Sequence, residues 1–106
     1  MEFNPQFAAS HILRKYQHVL RFGEGEVQEH VRSNSKWSEV PEARMEHFVR
    51  EAINDLSTYA MTLGGDAIAE VHSLLTHIQE IASLVRLGLM RKAGLDVSTE
   101  NQEAGR

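Results

Sequence analysis

The sequence predicts an all-α protein built from three long antiparallel helices in an up-down-up arrangement. Apolar residues recur every three or four positions over 45–63 and again over 68–89, which is the spacing of one helix face. Gly64 and Gly65 separate the two runs and predict a tight turn. Because so short a link forces its helices to run antiparallel, the two runs are predicted to form a C-terminal helical hairpin.

The predicted helices cover residues 5–33, 40–63 and 66–93, and they form a single helical domain over residues 1–95. Residues 96–106 are a polar C-terminal tail with few apolar anchors. Pro5 suits the first turn of a helix, where its missing N–H costs nothing.

The first helix contains two helix-weakening glycines, Gly23 and Gly25. Val27 and Val31 nevertheless stay on the apolar arc if the helix continues, so the sequence predicts one helix kinked near residues 23–25. This helix turns His30 toward the core as a hydrogen-bonded structural residue. The segment 33–40, which contains Trp37, is then the connection to the second helix.

The heptad spacing of the hairpin predicts its buried positions. Leu75 and Ile78 are expected to pack against Leu56 and Val49 or their neighbours. Two further leucines, Leu84 and Leu87, fall outside the apolar stripe, where one bundle does not easily bury them. We therefore predict a homodimer that covers this surplus apolar surface.

Composition limits the classes of function. The chain has 106 residues, no cysteine and a formal net charge of −4. The lack of cysteine excludes disulfides and thiolate chemistry, and the mild acidity argues against nonspecific nucleic-acid binding. No apolar run is long enough to span a membrane, and we expect a cytoplasmic protein with no membrane association.

No motif predicts catalysis or a cofactor. The sequence contains no Gly-x-Ser-x-Gly nucleophile motif and no phosphate-binding loop. Of the six histidines, His77 and Glu80 are spaced as in a reversed di-iron motif, but on the predicted heptad both point outward. We therefore expect no enzyme activity, no metal and no other cofactor.

One surface has a composition typical of binding sites. The side of the first helix opposite its apolar arc carries aromatic, histidine and arginine residues, which are Phe7, His11, Arg14, His18, Arg21 and Phe22. Aromatic residues and arginine are enriched in protein interfaces and in their hot spots. This side is predicted to be a partner-binding face, or else a surface that packs on a second subunit or on the tail.

The leading hypothesis for function is a small helical protein-binding module, which acts as an adaptor, an inhibitor or a regulatory subunit. One alternative is a nucleic-acid-associated or transcription-regulatory dimer. A second alternative is a helical bundle that binds a metal or another ligand.

Overall fold

The computed structural model describes residues 2–94, and the predicted polar tail at 96–106 lies outside them. The described chain forms four α-helices, three β-strands and one 3₁₀ turn. In chain order these are α1 (Pro5–Lys15), β1 (Leu20–Gly23), β2 (Glu26–Val31), β3 (Lys36–Glu39), α2 (Glu42–Ala60), α3 (Gly65–Ser73), the 3₁₀ turn (Leu74–His77) and α4 (Ile78–Lys92). The fold is therefore mixed α and β, and the all-α prediction is wrong.

The predicted first helix over 5–33 is a short helix followed by a β-hairpin. Glu24 and Gly25 have φ angles of 55° and 80°, and Gly23 is paired with Glu26. Two successive residues with positive φ form the type I′ turn that matches the twist of two antiparallel strands. The two glycines thus flank and complete a strand-to-strand turn, and they do not mark a helix kink.

The predicted connection at 33–40 contains the third strand. Residues 32–35 form a second turn, in which Ser35 has a φ of 55° and the Asn34 side chain accepts a hydrogen bond from the Lys36 N–H. β2 is paired antiparallel with both β1 and β3, so the strand order is β1-β2-β3. Trp37 consequently lies opposite His30 in the sheet.

Helix α1 begins where the sequence predicts and ends 18 residues earlier than predicted, since it stops at Lys15 and not at residue 33. Asn4 caps it through a 2.8 Å hydrogen bond from the Phe7 N–H to Asn4 Oδ1, and Pro5 occupies its first turn. Ala8, Ala9 and Ile12 are the buried residues of α1.

The turn predicted at Gly64 and Gly65 lies between α2 and α3. Gly64 has a φ of 116°, a region of backbone space that residues with a Cβ rarely adopt. The Gly64 C=O accepts a hydrogen bond from the Ile68 N–H at the start of α3, so the turn leads directly into the next helix.

The third predicted helix, over 66–93, is divided by the 3₁₀ turn at Leu74–His77. A 3₁₀ turn has three residues per turn, so it shifts the phase of the apolar face. Leu74 is 1% exposed and Leu75 is 46% exposed. The predicted burial of Leu75 is therefore wrong, and Leu74 occupies that place in the core, whereas Ile78 is buried as predicted.

The helices pack on one another, and α4 packs against strand β1 on one face of the sheet. Leu20, Val27 and Val40 are buried on that face. Within the helical layer α1 approaches α4 closely at Gly88, where a Cβ would lie 2.4 Å from Leu13 Cδ1. Leu84 packs half-buried against the core, and Leu87 is half-buried as well.

Candidate functional site

The sheet has an outer face that points away from the helices. Side chains alternate between the two faces of a strand, and Leu20 and Val27 are buried among the helices. The residues that alternate with Leu20 and Val27 along each strand, and the residues paired with those, therefore point to the opposite, outer face of the sheet. They are Arg21, Glu26, Gln28, His30, Trp37 and Glu39. We call these six residues the outer sheet face.

A stacked cation and ring lie at the centre of the outer sheet face. The Arg21 guanidinium carbon is 4.1 Å from the centroid of the Trp37 ring, although Arg21 is on β1 and Trp37 is on β3. The arginine side chain therefore crosses the central strand. The His30 ring meets the Trp37 ring edge-on, with centroids 5.2 Å apart.

Gln28 lies on the central strand between Arg21 and Trp37 and is only 4% exposed. Its Oε1 accepts a 2.7 Å hydrogen bond from Arg21 Nε. Gly23 leaves room for this amide, because a Cβ at residue 23 would lie 2.8 Å from Gln28 Oε1. The buried amide thus fixes Arg21 in position and holds it over Trp37.

The six residues of the predicted partner-binding face do not form one surface. Phe7, His11 and Arg14 are on α1, but two of the three contact other parts of the chain. Phe7 is half-buried against Phe3, with ring centroids 5.1 Å apart. His11 Nε2 lies 3.0 Å from Asp55 Oδ2 on α2. Arg14 alone of these three is exposed.

The other three predicted residues lie beyond the end of α1. His18 is exposed in the turn before β1. Phe22 lies on the helix-facing side of the sheet, with the Arg86 guanidinium 5.4 Å from its ring centroid. Of the six, only Arg21 belongs to the outer sheet face, where it lies with Trp37 and His30. Trp37 lies on β3 and not in a connection, and the predicted core position of His30 is wrong, since His30 is only half-buried.

A polar network joins α1 to α2 at the protein surface. Lys15 Nζ lies 2.6 Å from Asp55 Oδ2, and this hydrogen bond raises the pKa of Lys15. Burial raises the pKa of Asp55, but hydrogen bonds from Lys15 and His11 outweigh it and hold that pKa below its usual range. Tyr16 donates a 2.8 Å hydrogen bond to Glu51. These side chains satisfy one another, and their arrangement favours a structural role.

A cavity of about 300 Å³ lies where the sheet meets α2 and α4. Its apolar walls include Val27, Val40 and Met45, and three glutamates line it as well, Glu26, Glu39 and Glu42. Glu26 and Glu39 also belong to the outer sheet face, so the cavity and that face are continuous.

Among residues 2–94, no group of three or more histidine, aspartate and glutamate side chains is placed to hold a metal ion. His77 and Glu80 pair at 3.2 Å on the surface, as an exposed contact within one turn of helix. No helix in the described part of the chain combines the length and apolar character needed to cross a membrane.

The fold and site define a small α and β protein whose three-stranded sheet has one face packed toward the helices and one open face. Comparison of the chain with protein-family models, with curated proteins and with solved structures finds no match.

Proposed function

We propose that this chain is a protein-binding module that recognises its partner through the outer sheet face. The observation that carries the proposal is the Arg21 guanidinium stacked 4.1 Å from the Trp37 ring on a sheet face turned away from the helices. Tryptophan and arginine are the residues most enriched in binding hot spots. An adaptor, an inhibitor and a regulatory subunit would all use such a surface.

The way Arg21 is held supports this proposal. A free arginine side chain loses rotamer entropy when it is immobilised at an interface, which weakens binding. Here the buried Gln28 amide and the Trp37 ring already restrict Arg21 before any partner arrives. A preorganised cation beside an aromatic ring therefore binds at a lower entropic cost than a flexible one.

A capture experiment tests the proposal. The purified chain, used as bait in a lysate of its native host, is compared with the Arg21→Ala variant and with the matched Arg50→Ala control. Arg50 is also exposed, but it lies on α2, and its side chain is hydrogen-bonded to Glu46 of the same helix. We expect a specific partner to be lost with Arg21→Ala and kept with Arg50→Ala. Equal capture by all three proteins would contradict the assignment of the outer sheet face.

Single-stranded nucleic acid is a second candidate for the same surface. Trp37 and His30 offer adjacent rings, and bases stack on such rings in sheet-based RNA-binding modules. Glu26 and Glu39 on the same face oppose a phosphate backbone, and the net charge of −4 does so as well. A mobility shift that weakens with salt and disappears with Trp37→Ala would favour this candidate over a protein partner.

The cytoplasmic location expected from the sequence stays a prediction. Cell fractionation, followed by detection with an antibody against the chain, measures it directly.

A further inference from the structure

We propose that the free edge of β3 and the cavity beside it bind an extended peptide segment of the partner, with a lysine or arginine side chain in the cavity. This inference rests on the proposed function, since it names the chemistry of the protein that the outer sheet face binds. Two separate features carry it, which are the open backbone edge of β3 and the charge of the cavity.

Strand β3 has a neighbour on one side only, because the sheet order among the described residues ends with it. Directly after β3, the Val40 N–H donates a 2.9 Å hydrogen bond to the Val27 C=O, which continues the register of the neighbouring Gln28–Glu39 pair. Since hydrogen-bonded positions alternate along an antiparallel strand, the backbone groups of Trp37 and Glu39 point to the open side. Such groups are a template for an added strand.

The cavity lies at the C-terminal end of β3, where Glu39 and Val40 line it. Val27, Val40 and Met45 contribute its apolar walls, with Ala82 from α4, and its volume is about 300 Å³. The aliphatic stem of a lysine or arginine lies well against apolar surface, while its charged head stays near polar groups. A basic side chain therefore suits both the walls and the carboxylates of this cavity.

The charge of the cavity selects a cation. Glu26, Glu39 and Glu42 line it, and in the described structure none of them forms a salt bridge. Glu29, on the helix-facing side, differs because it is already paired with Arg44 at 2.7 Å. Arg86 is the one cation in the lining, and its guanidinium lies 5.4 Å from the Phe22 ring centroid. Three negative groups against one positive group leave the cavity acidic.

Both features are part of one continuous surface. Glu39 lies on β3 and lines the cavity, so a peptide paired with this edge passes the cavity mouth. Opposite charges directly across two antiparallel strands stabilise the pairing. A basic residue of the peptide opposite Glu39 therefore gains a cross-strand ion pair in addition to the backbone hydrogen bonds.

The test uses a fluorescein-labelled peptide of alternating valine and lysine, titrated with the full chain and followed by fluorescence anisotropy. A second peptide replaces each lysine with glutamate, and a third carries N-methyl groups on alternate backbone nitrogens. The double variant Glu39→Lys with Glu42→Lys removes two cavity carboxylates. The control Glu24→Lys with Glu80→Lys makes the same change in net charge at the hairpin tip and on α4, outside the cavity lining.

We expect saturable binding of the valine–lysine peptide, reduced at least about tenfold by the cavity variant and less than about threefold by the control. The N-methyl peptide should bind as weakly as the glutamate peptide, because its backbone no longer pairs with β3. Absence of saturable binding up to about 1 mM peptide would overturn the proposal. Equal losses with the two double variants would also overturn it, since net charge alone would then explain the binding.

A lysate capture separates this proposal from the proposed function. One outcome is a partner that requires Arg21 but binds the Glu39→Lys, Glu42→Lys variant normally. This outcome would support the outer sheet face as the binding surface, and it would refute the proposed binding of a basic peptide segment at β3. A partner that is lost with neither set of changes would refute both.

Discussion

Two glycines of this chain show how strongly one missing methyl group can matter at the scale of a single residue. At Gly88 on α4, an added Cβ would lie 2.4 Å from Leu13 Cδ1 of α1, so the glycine allows the two helices to approach. At Gly65, the first residue of α3, an added Cβ meets nothing within 4 Å. The same substitution at these two positions therefore separates packing from helix propensity.

We predict opposite effects for Gly88→Ala and Gly65→Ala on the free energy of unfolding. Overpacking at residue 88 should cost about 1–3 kcal/mol, partly offset by the better helix propensity of alanine, about 1 kcal/mol. Gly65→Ala should stabilise the protein by about 0.5 kcal/mol. Urea titration measures both values. Leu13→Ala should relieve the clash in the Gly88→Ala background, and a Gly88→Ala variant as stable as Gly65→Ala would contradict the close packing.

The ion pair between Glu29 and Arg44 predicts a pH dependence of stability. The hydrogen bond from Arg44 holds the pKa of Glu29 below its usual range against the opposing effect of burial. A carboxyl whose pKa is lower in the folded state adds stability above its unfolded pKa, and this stability is lost as the pH falls through the folded pKa. We therefore expect the urea midpoint to fall as the pH drops below about 4.3.

The Arg44→Met variant tests the source of that pH dependence. It should show a shallower loss of stability over the same acid range, because the hydrogen bond that is the main cause of the lowered pKa of Glu29 is gone. Arg50→Met is the matched control, since Arg50 pairs with Glu46 within one exposed helix turn and such pairs contribute little. Identical pH profiles for the wild type and Arg44→Met would refute the assignment to this pair.

At the scale of elements, the 3₁₀ turn sets the register of the second half of the helical hairpin. It lies between α3 and α4 and moves Leu74 into the core, while Leu75 is turned outward. Val71 and Ile78 on either side are both buried, so the apolar face continues across the turn through Leu74. A strict heptad over this stretch selects the wrong leucine.

Substitution of the two neighbouring leucines measures this register. Leu74→Ala should reduce the free energy of unfolding by about 2–5 kcal/mol, as do other large-to-small changes at buried sites. Leu75→Ala should change it by less than about 1 kcal/mol, because its side chain is 46% exposed. Each variant is the control for the other, and a larger loss with Leu75→Ala would restore the heptad prediction.

At the scale of the whole molecule, the exposed apolar surface lies elsewhere than the sequence predicts. Leu84 packs against the core, whereas large apolar side chains are exposed near the turn between α2 and α3. Tyr59, Met61 and Leu63 are 46%, 69% and 49% exposed. Exposed apolar groups so close in sequence favour self-association through this end of the helical hairpin.

The predicted homodimer is tested on this basis. We expect light scattering at micromolar concentration to report about twice the 12.0 kDa mass of the chain. The double variant Met61→Ser with Leu63→Ser should return the mass to that of a monomer without loss of helicity. A wild-type chain that stays monomeric at every concentration would refute the dimer.

Features that depend on neighbours in the chain could be predicted from the sequence. The start of α1 at Pro5 and the turn at Gly64 follow from local backbone chemistry, because a proline ring and a glycine at positive φ need no distant contact. The apolar spacing of α2 likewise identifies residues that the core buries, such as Val49 and Leu56.

The hairpin turn at Glu24 and Gly25 had a signal in the sequence too, since glycine pairs between short apolar runs are typical of strand turns. Val27 and Val31 lie four residues apart, however, and this spacing fits one face of a helix as well as one face of a strand.

The candidate site, in contrast, depends on contacts between segments that are distant in the sequence. Arg21 and Trp37 are 16 positions apart in the sequence, and they meet because β1 and β3 flank the same central strand. The prediction of a long helix placed Arg21 with Phe7, whereas β-pairing places it above Gln28. Strand pairing depends on contacts between distant segments, and no local spacing reports which segments pair or which face stays open.

For the same reason the cavity lined by Glu26, Glu39 and Glu42 has no sequence signature, since its walls come from two strands and two helices that only the folded chain brings together.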